Sequence, residues 1–255
     1  MPDSAPESLV NPGPDAIDGW DRATAILEIL LCSSVPTQLA IGAVLRLLGI
    51  RSTDAAGHLS FTFVLTLSLA DTALLIGMMI LLMHAHGESA RALWWGSADQ
   101  RRAKPTVRHA LIGLATVPLI FIGVGILLNT IRLFVPSLHN VQTNPLEQFA
   151  ATPGQAALFS LVAILAGGLR EELQRAFMLH RFEQYLGGGA VGVVVYSVVF
   201  GLGHSDQGYD AMIATGLLGA IWGTLYLARR SIVAPMVSHA SFNLAQLVRY
   251  LVSVR

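Results

Sequence analysis

Seven runs of mostly apolar residues, at about 26–48, 61–83, 109–133, 155–178, 189–203, 210–228 and 232–253, fill most of the chain. A bilayer's hydrocarbon core is about 30 Å thick, and a helix needs roughly 20 mostly apolar residues to cross it. The first three runs and the last have that length and composition. The fourth is apolar only as far as Ala166 and then turns ionic. The fifth, GAVGVVVYSVVFGLGH, is short and Val-rich, and periodicity alone would also allow a buried strand there. An unpaired strand leaves its backbone groups without partners in lipid, so helix is the reading. The expectation is an all-α polytopic membrane bundle of about seven transmembrane helices.

Charge supports that class. Only 13% of the residues are charged, about half the share of a soluble domain, and the mean hydropathy is +0.59. The formal net charge is zero, so no global field recruits nucleic acid. Membrane lipid is the expected partner. Cys32 is the only cysteine, which excludes an internal disulfide and a cysteine-rich metal site. Residues 1–25 are rich in Pro, Asp and Ser without a basic segment leading into an apolar core, so they read as a disordered tail rather than a signal peptide.

The arginines suggest an orientation. Arg91, Arg101, Arg102, Lys104 and Arg108 follow the second run, Arg170, Arg175 and Arg181 the fourth, and Arg229 and Arg230 the sixth. The odd-numbered connections hold only Arg51 and, near the third, Arg132. By the positive-inside rule the N-terminus is then cytoplasmic. Lys104 is the only lysine, and this small Arg-rich chain reads as a protein of a bacterial inner membrane.

Charged groups inside a bilayer are costly and usually face an interior with a role. Glu28 and Asp71 lie within or beside the first two runs, and Asp71 reads as a structural carboxylate bonded to a Ser or Thr hydroxyl of a neighbouring helix. A denser group stands in GGLREELQRAF, where Arg170, Glu171, Glu172 and Arg175 fall within six positions. On a helix Glu171 and Arg175 are i,i+4 neighbours, and Glu172 and Arg175 are i,i+3. Alone, this could be an ion-paired helix end. Two later stretches change the reading: VVFGLGH sets Phe200 four residues before His204, and SHASFN sets His239 four before Asn243. A carboxylate, two imidazoles and an amide are the groups needed to activate a water and hold an oxyanion. They also resemble a His2Glu metal set, without the helical H-E-x-x-H pairing of zinc proteases.

In order and separation, EELQRAF, FGLGH and HASFN resemble the three motifs of the CAAX-protease and bacteriocin-processing intramembrane endopeptidases. That group includes the eukaryotic Ras-converting CAAX protease and many bacterial Abi-type membrane proteins. The resemblance covers about 145–253, the family's four-helix core, and implies a division into the tail, N-terminal transmembrane helices over 26–144 and a protease core over 145–255. One departure stands out: the family usually has three residues between its glutamate pair and the arginine, whereas only Leu173 and Gln174 separate Glu172 from Arg175. Aligning on the arginine would put Arg170 and Glu171 in the glutamate positions. Aligning on the pair makes Glu171 the catalytic glutamate, the alignment preferred here.

The resemblance implies an intramembrane endopeptidase acting on a membrane-associated protein or peptide, lipidated substrates included. Glu171 and His204 would hold and deprotonate a water, His239 and Asn243 would bind the oxyanion, and Glu172 and Arg175 would orient Glu171. The same residues suit a divalent ion such as zinc on Glu171, His204 and His239. The alternative from another class is a non-enzymatic membrane protein, a transporter or a pseudoprotease scaffold that keeps the fold.

Overall fold

A computed structural model of the chain describes residues 17–54, 57–103 and 106–253. No strand occurs among these residues, only an isolated bridge between Thr53 and Leu59. In chain order the helices are α1 (Gly19–Leu31), α2 (Val35–Leu47), α3 (Phe61–Ala85), α4 (Ala90–Trp95), α5 (Ala98–Ala103), α6 (Thr106–Phe134), α7 (Pro153–Val162), α8 (Glu171–Tyr185), α9 (Gly189–Leu202), α10 (Tyr209–Arg229) and α11 (Val233–Ser253). A π-helical stretch, Ala163–Arg170, joins α7 to α8 without interruption. All seven apolar runs are therefore helical, and the strand alternative for 189–203 is gone.

Among the described residues, four segments are long and apolar enough to cross a membrane: Gly19–Leu47, Phe61–Ala85, Thr106–Phe134 and Tyr209–Arg229. The chain is an integral membrane protein built as an all-α bundle. Its outer surface agrees, with Leu119, Ile122 and Ile126 of α6 and Val194 and Val198 of α9 all exposed. Side chains of that kind in contiguous array belong against lipid, not water. Helix α11 falls outside the four because His239, Asn243, Gln246 and Arg249 dilute its hydropathy.

Two local features depart from the sequence expectations. Helix α1 begins at Gly19, inside the stretch read as a tail, because Asp18 and Asp21 form a reciprocal capping box. Residues 1–16 lie outside the described residues. The first apolar run is also not one helix. It breaks at Cys32–Ser34, where Ser34 takes a left-handed backbone conformation with φ 69°, and Pro36 in the first turn of α2 cannot continue the preceding helix. Non-helical backbone at membrane depth is tolerated only where protein buries it. Here Gln174 donates to the Cys32 carbonyl and, at 3.2 Å, to Ser34 Oγ.

From Glu172 to Arg181 every residue of α8 is buried, although its sequence is polar. The other helices wrap it, and each charge it carries meets a partner. Towards its C-terminal end Arg181 pairs with Glu28 of α1 and with Glu88, while His180 and Gln184 also donate to Glu88. Burial pushes the Glu88 carboxyl up, but those hydrogen bonds and the Arg181 charge outweigh it and hold the group at about 2. Glu28 also meets His86 Nε2 at 2.6 Å.

Candidate active site

Glu171 and Glu172 open α8 directly after the π stretch. A wide turn of this kind is uncommon and often marks a functional site. Gly167 and Gly168 lie within it and let α11 come close. A Cβ on Gly168 would lie 2.6 Å from Ala240 Cβ, and one on Gly167 would lie 2.6 Å from Asn243 Nδ2. Small residues at such a crossing are the usual means of close approach between membrane helices. The π stretch and the His239–Asn243 turn of α11 are therefore packed face to face.

The two carboxylates separate by environment. Glu172 is fully buried and paired with Arg175 at i,i+3, and its Oε1 also meets His239 Nδ1 at 2.8 Å. Glu171 keeps 15% of its side chain exposed. One of its oxygens accepts from Arg170 at 3.0 Å, and the other lies 3.8 Å from His239 Nε2. His239 thus stands between the pair. Because a carboxylate can only accept, His239 Nδ1 carries the proton given to Glu172, which leaves Nε2 facing Glu171. The imidazole is stacked on Trp222 at 3.8 Å, which fixes its plane.

His204 lies in the turn after α9. Its Nδ1 donates to the Phe200 carbonyl at 2.8 Å, the i−4 position, so a neutral ring presents Nε2 as an acceptor. The His204 and His239 rings both meet the edge or face of Phe200, at 4.8 and 6.2 Å between centroids. Arg175, with no exposed surface, lies 5.0 Å from the Tyr196 and Phe200 rings and 5.6 Å from Trp222. These rings supply the cation with favourable quadrupoles where its remaining N–H groups find no oxygen. Of the two spacings open to Arg175 in the sequence, the i,i+3 pairing with Glu172 is the one formed. Arg175 takes Glu172, and this leaves Glu171 to another guanidinium.

That guanidinium is Arg170. It donates to Asp71 at 2.6 Å, to Ser34 Oγ at 2.9 Å, to Glu171 and to the Ala166 carbonyl. Asp71 has no exposed surface and also accepts from Thr37 Oγ1 and, at 3.2 Å, from Gln38 Nε2. The hydroxyl partner expected for Asp71 is present, and the ion pair with Arg170 comes in addition. Sequence reading missed the link between Asp71 and Arg170, and also missed Trp222 and Tyr196. A long-range pair between single charges leaves no spacing signal, and Trp222 looks like any core aromatic of α10.

The named residues therefore converge in a continuous array, Asp71–Arg170–Glu171–His239–Glu172–Arg175, with His204 beside it through Phe200 and Asn243 one helical turn beyond His239. They do not converge as a metal centre. Among the described residues no three His, Cys, Asp or Glu side chains gather as ligands for an ion, so Glu171, His204 and His239 do not fit the zinc set.

A buried array of carboxylates and an imidazole, with an amide one turn away, thus lies inside an all-α membrane bundle. Residues 153–245 match the family described as Rce1-like, type II CAAX prenyl endopeptidase Rce1-like. Glu171, Glu172, Arg175, Phe200, His204, His239 and Asn243 all lie within the matched stretch, whereas α1 to α6 lie outside it. No curated protein and no solved structure matches the chain.

Proposed function

We propose that this protein is an intramembrane endopeptidase in which Glu171 is the general base that activates water. The observation that carries the reading is the division of labour between the two glutamates. Glu172 is consumed by Arg175 and His239, while Glu171 retains exposed surface and an oxygen directed toward an imidazole. His204 Nε2 is an acceptor suited to share the water. Proton transfer by a positioned carboxylate contributes roughly 10²–10⁴-fold to rate.

Asn243 is the neutral donor for the tetrahedral oxyanion. His239, whose Nδ1 proton is given to Glu172, donates from Nε2 only when the ring is protonated. It first acts by orienting the two carboxylates, and joins Asn243 once it has taken up the proton. Glu172 and Arg175 hold His239. The residues present do not suit a metal, so no step is routed through one. The substrate class is a membrane-associated protein or peptide, lipidated chains included, as the family's name implies. The connections on the Arg-rich side face the cytoplasm, in a bacterial inner membrane.

The test uses purified full-length protein in liposomes with a peptide library that includes a farnesylated peptide ending Cys-aliphatic-aliphatic-X. Cleavage is read by mass spectrometry. Glu171→Gln abolishes cleavage with an unchanged unfolding midpoint, whereas Glu172→Gln lowers both. Full cleavage by Glu171→Gln would remove Glu171 as the base.

A further inference from the structure

At the end of the bundle carrying the Arg-rich connections, a cavity of about 70 Å³ opens between the α4–α5 junction, the start of α6 and the end of α10. A buried water needs only about 10–15 Å³ of such space, so the cavity takes a group several times larger. Its walls include Gln100, Arg101, Thr106, Arg229, Arg230 and Ser231, and no Asp or Glu lines it among the described residues. Arg230 is drawn outward to Glu183 at 2.6 Å, and Arg101 gives one N–H to the Gly96 carbonyl.

Arg229 differs from both. Its Nε is buried without a hydrogen-bond partner. A guanidinium N–H left bare at such a place is unfavourable, and an anion in the cavity would satisfy it. Thr106 stands in the opening turn of the 29-residue α6, whose free N–H groups add positive potential. Trp95 lines the cavity and is 37% exposed, as suits an aromatic at headgroup depth. Basic pockets between helices on the cytoplasmic side are a recurrent means of holding anionic headgroups.

We infer that this cavity is a binding site for a phosphoryl group, with Arg229 and Arg101 as its cationic ligands and a phospholipid headgroup or free phosphate as its source. The site lies apart from the glutamate–histidine array and does not depend on the activity proposed above. Purified full-length protein in phosphatidylcholine nanodiscs is titrated with phosphatidylglycerol or inorganic phosphate, and thermal unfolding and lipid retained in native mass spectra are recorded. Phosphatidylglycerol is retained and raises the unfolding midpoint, and Arg229→Gln weakens it about tenfold. Arg91→Gln, a control at an exposed arginine, leaves it unchanged. Stabilisation by inorganic phosphate alone, lost in Arg229→Gln, would assign the site to a soluble anion and keep the phosphoryl chemistry. Equal response to phosphatidylcholine and phosphatidylglycerol with none to phosphate, or no change in Arg229→Gln, overturns the inference. Should Arg229→Gln not fold, Arg101→Gln and Arg229→Lys carry the same comparison, with weakened and intermediate binding expected and wild-type binding in both refuting it.

Discussion

Replacing Asp71 with Asn tests whether the helices outside the family match hold the site together. Asp71 is wholly buried, and three donors converge on it, with Arg170 at 2.6 Å the only one that carries charge. An Asn in its place could still accept from Thr37, but its amide would turn N–H groups toward the guanidinium. Arg170 would then keep Glu171 as its only carboxylate. Removing one member of a buried ion pair typically costs about 3–5 kcal/mol, and the remaining Glu171 puts this case near 3 kcal/mol. The double change Asp71→Leu with Arg170→Met removes both charges together, and such replacements are often neutral or stabilising. Reversible SDS-driven unfolding in mixed micelles measures the stabilities, and cleavage in liposomes measures function. Asp71→Asn loses both stability and activity. The double variant regains stability and remains impaired in kcat, since Glu171 has lost the group that holds it. A stability loss under about 0.5 kcal/mol in Asp71→Asn, within the range of an ordinary surface change, would refute this reasoning. So would a double variant as unstable as the single.

Gly167→Ala brings a methyl group 2.6 Å from Asn243 Nδ2, so kcat falls by about 10²-fold, the scale of losing one oxyanion donor, with much smaller change in KM. Trp222→Leu removes the surface stacked on His239 and one ring beside Arg175. The expected loss is about 3 kcal/mol of stability together with most of the cleavage, both read in the assays above. Acid weakens the α1–α8 end of the bundle. The Glu88 carboxyl is held at about 2, below its ordinary value of 4.5. Its contribution is thus full above pH 4.5 and lost as pH falls toward 2. Glu88→Gln should flatten that part of a pH–unfolding curve.

The positions of the helices were legible because spanning a bilayer demands long apolar runs, and all seven runs proved helical. The break at Cys32–Ser34 was hidden because the same apolar composition serves a straight helix and two shorter ones. Only Pro36 hinted at it. At the site, His204, His239 and Asn243 stood out by i,i+4 spacing, His239 and Asn243 within α11 and His204 in the turn that follows α9. The partner of Arg175 could not, because the i,i+3 and i,i+4 choices differ by one residue's rotation of about 100°. The π stretch before Glu171 rotates α8 relative to α7 with no signature beyond two glycines. Asp71 was visible as an unusual charge, but its partner 99 residues away depends on how α3 packs against the π stretch.

The array from Asp71 to Arg175 contains three carboxylates and two guanidinium groups, so with His239 neutral it carries one surplus negative charge. In the mechanism proposed above, Glu171 takes a proton from water, and that surplus vanishes at the moment the substrate's carbonyl oxygen becomes negative. The reaction therefore relocates a charge over a short distance and creates none. In a medium of low polarity, where isolating a new ion is the dominant expense, an array one proton short of neutrality suits the hydrolysis proposed for it inside a membrane.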